Sequence, residues 1–380
     1  MLGLCCLRAL SFQSSLFVHS ISLSLSLSKP TLIPTTRASF SLLSSSMASE
    51  PPLLVLCGKS SEETQLASSL KNNNSLKLPD YAQILPRLQS EIESPGEADS
   101  FDVRSFLDSL STTRFGRFLI WSPRLSSTHD VVSHNFGELP VGTVCVTDVQ
   151  FKGRGRSTNV WDSPRGCLMY SFTVQMEDGR VVPLVQYVAS LAITEAIKDL
   201  CTKKVLPMLD VRIKWPNDLY LNGLKVGGIL CTSAFKSKKF NISVGIGLNV
   251  DNRQPTTCLN AVLQDTTSIA CQLRKEDILA SFFDKFEKFF DVFTSEGFQP
   301  LEELYYQTWL HSGQRVIVQD KCGDQLVDNV VTIQGLTSSG YLLALGGDGQ
   351  MCELHPDGNR YIFTVSDELD KWLGSIGSCH

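Results

Sequence analysis

The stretch VRIKWPNDLYLNGLKVGGIL, Val211 to Leu230, limits the chain's folding options more than any other. Asn222-Gly223 between two apolar runs is a strong two-residue hairpin signal, because a type I′ turn needs a positive φ at both central positions. The hairpin returns Lys225 beside the strand that carries Asn217 and Asp218. Strict alternation would put Lys225 and Gly227 on one face. Gly227-Gly228 lacks Cβ atoms, so a ligand or a second backbone can approach closely just past the lysine. A hairpin lysine is more often solvated than functional. The company of a carboxylate and two glycines points instead to a ligand site built across the hairpin.

The surrounding elements predict an α+β fold, a mixed sheet with flanking helices, rather than a doubly wound one. RFLIW, GTVCVTDVQ, CLMYSFTV and FNISVGIGLNV read as strands. LSSTHDVVSHNF reads as a helix capped by Ser126 or Ser127. PLVQYVASLAITEAIKDL has apolar residues at helical spacing, with Pro183 suited to a first turn. KEDILASFFDKFEKFFDVF is an amphipathic helix expected to bury Ile278, Phe282, Phe286, Phe289 and Phe293, and a further helix runs to about Leu310. Short strands with Gly and Asp turns over 311–380 predict a small β-barrel domain. A catalytic-type core is thus expected over 116–310. Residues 47–115 form an extension of unassigned role, within which LLVLCG is one buried strand.

The first 46 residues contain no Asp or Glu and are rich in Ser, with Arg8, Lys29 and Arg37. That is the composition of an organelle transit peptide, for chloroplast or mitochondrion; a secretory signal fits less well because Ser interrupts the apolar run. Met47 follows at once, and a start there would give a cytosolic form. No run is long and apolar enough to span a bilayer. A formal net charge of -5 argues against a nucleic-acid binder. The twelve cysteines show no CxxC pair and no zinc spacing, which fits a reducing compartment and buried thiols.

A second cluster, QFKGRGRSTNVWDSPRG (Gln150 to Gly166), follows a strand. Its Gly-rich turn has the composition of an anion-binding nest, and Arg154 and Arg156 add fixed charge and forked donors. It is neither a Walker loop nor a dinucleotide fingerprint. A basic surface loop is the plainer reading. Trp161 is suited either to the core or to stacking on an adenine ring.

Taken together, GRGR…W.SP.G, KWPNDLYL…K..GIL and VGIGLN resemble the signatures of biotin–protein ligases, also called holocarboxylase synthetases. The resemblance runs from about Gly116 to the C-terminus. It implies a catalytic domain of the class II aminoacyl-tRNA synthetase-like type with a C-terminal SH3-like barrel. It implies that ATP and biotin give biotinyl-5′-AMP, which then acylates a lysine of a biotin acceptor domain: a biotin–[carboxylase] ligase. Acceptors of the acetyl-CoA carboxylase carrier and methylcrotonoyl-CoA carboxylase types follow, with no nucleic-acid or membrane partner. By motif position, Ser127, Thr128, Gln150, Gly153, Arg154, Lys225 and Gly228 look like the biotin-contacting set. Arg156, Trp161, Asn217 and Asn249 fall on the nucleotide side. Lys225, Arg154 and Asp218 look catalytic, and Asp218 is also the candidate for organising Mg²⁺.

The chemistry suits these types: a carboxylate must approach an anionic phosphate, so fixed positive charge has to screen the two. The ureido group of biotin offers donors and an acceptor that Ser127, Thr128 and Gln150 can match. The sequence also departs from the pattern. Ser157-Thr158-Asn159 replaces the basic continuation usual in bacterial members, and His129 stands where many relatives have Asn, so it is not counted as a ligand. No helix-turn-helix signal precedes the core, so repressor function is not implied. The competing readings are a lipoate ligase or octanoyltransferase, a non-catalytic biotin-binding regulator, and a single-stranded nucleic-acid binder. The first lacks its RRxSGGG-like loop, the second needs no phosphate-facing charge, and the third lacks an aromatic, basic strand face.

Overall fold

The computed structural model describes residues 51–92, 99–156, 159–267, 272–322, 325–356 and 360–363. The acid-free N-terminal segment, the start at Met47 and Ser157-Thr158 lie outside them. The fold is α+β, as the pattern predicts.

Among the described residues, ten strands form one large mixed sheet. They are β1 (Leu53–Gly58), β2 (Leu85–Leu88), β3 (Phe118–Leu125), β4 (Val144–Arg154), β5 (Val160–Ser163), β6 (Cys167–Met176), β7 (Arg212–Lys214), β8 (Asp218–Leu221), β9 (Leu224–Lys236) and β10 (Lys239–Asn249). Their order is β2-β1-β3-β4-β6-β10-β9-β8-β7, with β5 paired to β4. The helices are α1 (Ser61–Asn73), α2 (Val103–Ser109), α3 (Thr128–His134), α4 (Val185–Lys203), α5 (Leu259–Thr266), α6 (Lys275–Glu296) and α7 (Gln299–Thr308).

The central strand β6 is buried on both faces, as its nearly unbroken apolar run requires. Phe172 on β6 meets Phe282, Phe283 and Phe286 of α6 edge-on. The α6 face differs in one position from its expected stripe. Phe289 is only half-buried, and Phe290 takes its place against Phe115 and Phe286. The helix buries a face wide enough to hold Phe283 and Phe290 as well as the narrow stripe, because it packs on β6 and on Phe115 together.

Residues 51–92 join the same sheet. β1 lies antiparallel to β3, and Leu54 and Leu56 pack with Phe118, Ile120, Val131 and Val132 in a core of their own. Ser60 and Glu63 close a capping box on α1, so the helix starts where the strand ends. The following loop then braces α3. Tyr81 Oη accepts from the Ser126 N–H at 3.1 Å, and Asn135 exchanges two bonds with the Lys77 backbone, at 2.7 and 2.8 Å. Sequence periodicity assigned no role to this extension; the structure makes it the support of the helix that opens with Thr128.

The chain then forms a small antiparallel sheet from β11 (Arg315–Cys322), β12 (Gln325–Leu336), β13 (Leu342–Gly346), β14 (Met351–Leu354) and β15 (Arg360–Phe363), in the order β14-β13-β12-β11-β15. It is tied to the larger sheet near the KWPND turn. Trp215 Nε1–H donates to Tyr187 Oη at 2.8 Å and to the Gly340 carbonyl at 3.2 Å, while the Trp215 N–H donates to His311 Nε2 at 2.9 Å. No disulfide joins the described cysteines, and burial pushes the Cys57 thiol up to about 12. No helix among the described residues is long and apolar enough to cross a membrane.

Candidate active site

The hairpin forms as its turn residues dictate: Asn222 and Gly223 have φ of 50° and 77°. Its face assignment does not follow simple alternation. Between the pairs Tyr220↔Lys225 and Leu219↔Gly227 the register slips by one residue at Val226. This bulge turns Gly227 into the core, where a Cβ would meet the Gly247 carbonyl at 2.9 Å and Leu219 Cδ1 at 3.1 Å. Gly228, not Gly227, therefore shares a face with Lys225. Lys225 Nζ lies 2.7 Å from Asp218 Oδ1.

Apart from Gly153, the residues singled out by sequence line one cavity of ≈ 530 Å³. That size suits a small molecule with a few placed polar groups. Gly153 sits at the wall instead, paired with Trp161, where a Cβ would fall 2.4 Å from the Trp161 carbonyl and 2.7 Å from Gln150 Nε2. Only glycine lets β5 close onto β4 at that point.

At the polar end, Ser127 caps α3 by accepting from the Asp130 N–H at 3.3 Å. The Thr128 N–H donates to Gln150 Oε1 at 2.9 Å, and Thr128 Oγ1 lies 2.9 Å from Ser171 Oγ. Gln150 Nε2 donates to Ser163 Oγ at 3.4 Å. These groups are buried, so a ligand meets them fixed rather than mobile.

The wall is Trp161. Its ring lies over a floor made by Gly228 of β9 and its cross-strand partner Gly247 of β10. A Cβ at Gly247 would fall 2.7 Å from Trp161 Nε1, and one at Gly228 3.5 Å from Cζ3. Lys225 Nζ sits 5.4 Å from the Trp161 ring centre, within cation–π reach.

The GRGR segment is not the open nest its composition suggests. Gly153-Arg154 ends β4, and Gly155 N–H donates to the Asn159 carbonyl at 2.8 Å, which closes the loop on itself. The positive charge comes from the side chains. Arg154 Nη2 reaches Asp130 Oδ2 at 3.3 Å. Burial pushes the Asp130 carboxyl up, and the Arg154 guanidinium opposes that shift. Asp130 was missed in the sequence; its signal was its place in the first turn of a Ser-capped helix.

Asn217 and Asn249 line the cavity with their amides already engaged. Asn217 Nδ2–H donates to the Ile229 carbonyl at 2.6 Å, which fixes the KWPND turn to β9. Asn249 Oδ1 accepts from Asn252 at 3.0 Å, and its amide donates to the Thr257 carbonyl at 3.1 Å. The loop so held returns Thr256, whose hydroxyl donates to the Lys225 carbonyl at 2.6 Å. Asn249 thus positions Lys225 through its backbone. Gly245 and Gly247 were quoted within VGIGLN but not picked as site residues; the cross-strand neighbours that give them their place are distant in sequence.

Residues 121–249 match the family described as the Biotin/lipoate A/B protein ligase family. The chain is 68% identical over 335 residues to "Biotin--protein ligase 1, chloroplastic" of Arabidopsis thaliana, covering 87% of this chain and 91% of that protein. It is 30% identical over 275 residues to "Biotin--protein ligase" of Homo sapiens, covering 70% of this chain and 37% of the human protein. A solved biotin protein ligase from Aquifex aeolicus in complex with biotin and ATP shares the fold, with a TM-score of 0.50 at 24% identity, over 65% of this chain and 99% of that one.

Proposed function

The chain belongs to the biotin–protein ligase family, and from that premise we propose that it joins biotin to ATP and passes the activated biotin to a protein lysine. The observation that carries the reading is the convergence of Lys225, Arg154 and Trp161 on a cavity whose other end is a fixed set of hydroxyl and amide groups. The polar end suits the ureido ring, and the charged end suits phosphate.

In the first step a carboxylate oxygen of biotin attacks the α-phosphorus of ATP. The bond to the bridging oxygen breaks, pyrophosphate leaves, and biotinyl-5′-AMP remains. Lys225 and Arg154 reduce the repulsion between the two anions, the larger share of the barrier that fixed charges can remove. Trp161 walls the adenine side, and Arg156 lies on the same side. In the second step the amine of an acceptor lysine attacks the acyl carbon. The C–O bond to the phosphate breaks, AMP leaves, and the proton from nitrogen departs by way of the Asp218 carboxylate. No side-chain nucleophile is needed, since the acceptor supplies it.

Mg²⁺ arrives with ATP as part of the substrate. Asp218 is the only carboxylate lining the cavity among the described residues, and Lys225 already engages it. No group of three or more candidate metal-binding side chains occurs among the described residues. This donor set does not fit a resident metal.

Carboxylase acceptor domains of the acetyl-CoA and methylcrotonoyl-CoA types are the partners this reading names. Plastid import is the destination it favours, since the 68% identical relative is called chloroplastic and the first 46 residues are acid-free. A mitochondrial destination rests on composition alone, and a cytosolic form on Met47.

A pyrophosphate-release assay on the chain from Met47, with ATP, Mg²⁺ and biotin, tests the reading, with lipoate run in parallel. Biotin-dependent release followed by labelling of an acceptor domain is the expected result. Release with lipoate alone moves the chain to the sister activity within the same family. No release with either removes the catalytic reading.

A further inference from the structure

His129 follows Thr128 in the first turn of α3 and lines the cavity, with 6% of its surface exposed. One ring nitrogen is accounted for: Nε2 lies 2.8 Å from Thr232 Oγ1 on β9. The other, Nδ1, is buried and has no hydrogen-bond partner among the described residues. A buried polar nitrogen without a partner is costly, and a native protein seldom leaves one without a use. The strand opposite makes room for it. A Cβ at Gly245 would fall 3.1 Å from His129 Nδ1 and 3.1 Å from Ser171 Oγ. Glycine there keeps open the space between the imidazole and the Thr128–Ser171 pair, at the polar end of the cavity.

We propose that His129 Nδ1 is a further substrate-binding atom: it accepts a hydrogen bond from an N–H of the ureido ring of bound biotin and so helps select that head group. The proposal rests on the biotin reading above. Thr232 is exposed, so its hydroxyl can accept from Nε2–H while donating to solvent. In the proposed tautomer Nε2 carries the proton towards Thr232 and Nδ1 is the acceptor, the complement of a cyclic urea's N–H donors. Burial, with Arg154 adding to it, lowers the His129 pKa to about 4, so the ring is neutral in the physiological range. A protonated ring would present a second donor to the urea and lose the match.

The residue was set aside on sequence because it replaces a commoner Asn. An Asn side chain can also present an acceptor, so the substitution conserves the capability and changes its reach.

The test measures biotin affinity by calorimetry for the wild-type chain from Met47 and for His129→Asn and His129→Leu, together with KM for ATP and thermal midpoints. His129→Leu is expected to weaken biotin about tenfold, the loss of one hydrogen bond to a buried acceptor. His129→Asn is expected to recover most of that loss, and KM for ATP to stay unchanged. A biotin analogue methylated at the ureido nitrogen concerned should bind the wild type more weakly than biotin but bind His129→Leu no worse. A second readout needs no variant: with ¹⁵N-labelled histidine, biotin should shift the Nδ1 resonance of the wild type towards that of a hydrogen-bonded acceptor. Unchanged biotin affinity in His129→Leu, or an Nδ1 signal that ignores biotin bound by the wild type, overturns the proposal and leaves the ligase reading standing. A wild-type chain that binds no biotin overturns the ligase reading and this proposal with it.

Discussion

The Lys225 ammonium lies 2.7 Å from the Asp218 carboxylate, across a bulged hairpin and beneath the Trp161 ring. Both side chains are partly exposed, at 37% and 28%, so in the resting site the pair contributes little to stability. Its value is positional. The carboxylate holds the ammonium in the lining of the cavity, and on the proposed mechanism an incoming phosphate takes that carboxylate's place.

Lys225→Ala should therefore fold normally and lose biotin-dependent pyrophosphate release by about 10²-fold or more, the scale for removing one fixed charge from a developing anionic centre. Near-normal release would take Lys225 out of the mechanism. The thermal midpoint should move little.

Gly247→Ala tests the floor. The new methyl would meet Trp161 Nε1 at 2.7 Å and Cε2 at 2.8 Å, so the ring must move. On the proposed division of the site, with biotin at the Thr128 end, KM for ATP should rise severalfold while biotin affinity stays unchanged. Equal losses for both ligands would show that Trp161 does not divide the site this way.

Acid should destabilise the fold. Burial lowers both His129 and His311 to about 4, from an ordinary value near 6.5. Between those values the unfolded chain binds more protons than the native one, so stability is complete above about pH 6.5 and lost as pH falls towards 4. At pH 5 each histidine should lower stability by on the order of 2 kcal/mol. Denaturant midpoints at pH 7 and pH 5 measure the sum, and His311→Gln should remove part of the difference. A flat profile would mean that neither ring is buried in the neutral form.

Beginning the chain at residue 99 removes β1 and α1 and uncovers Phe118, Ile120, Val131 and Val132. Leu54 and Leu56 alone account for burial of roughly 2 kcal/mol each. The truncated chain should be poorly soluble or melt well below the chain from Met47, and its biotin binding should fail with its fold. Retained binding with an unchanged melt would show that α3 does not need this brace.

Much of this was legible in the sequence because it depends on short-range rules. The Asn222-Gly223 turn needs only its own φ preferences, Ser127 needs only the Asp130 N–H three residues on, in the first turn of its helix, and the Lys225–Asp218 encounter follows from the hairpin between them. What failed were the statements that assumed an ideal lattice. Alternation placed Gly227 beside Lys225, and a one-residue bulge gave that place to Gly228. Composition suggested a nest at GRGR, and the loop closed on Asn159 instead. The α6 stripe put Phe289 where Phe290 packs.

By itself the sequence determined the elements, the hairpin and the residue types gathered along it. The tertiary structure alone decided the glycine floor under Trp161, the Asp130–Arg154 pair, the bracing of α3 by residues 51–92 and the open nitrogen of His129. Each depends on strands brought together from distant parts of the chain. A residue's local preferences carry no information about which backbone will lie across from it, so only the folded sheet could assign those neighbours.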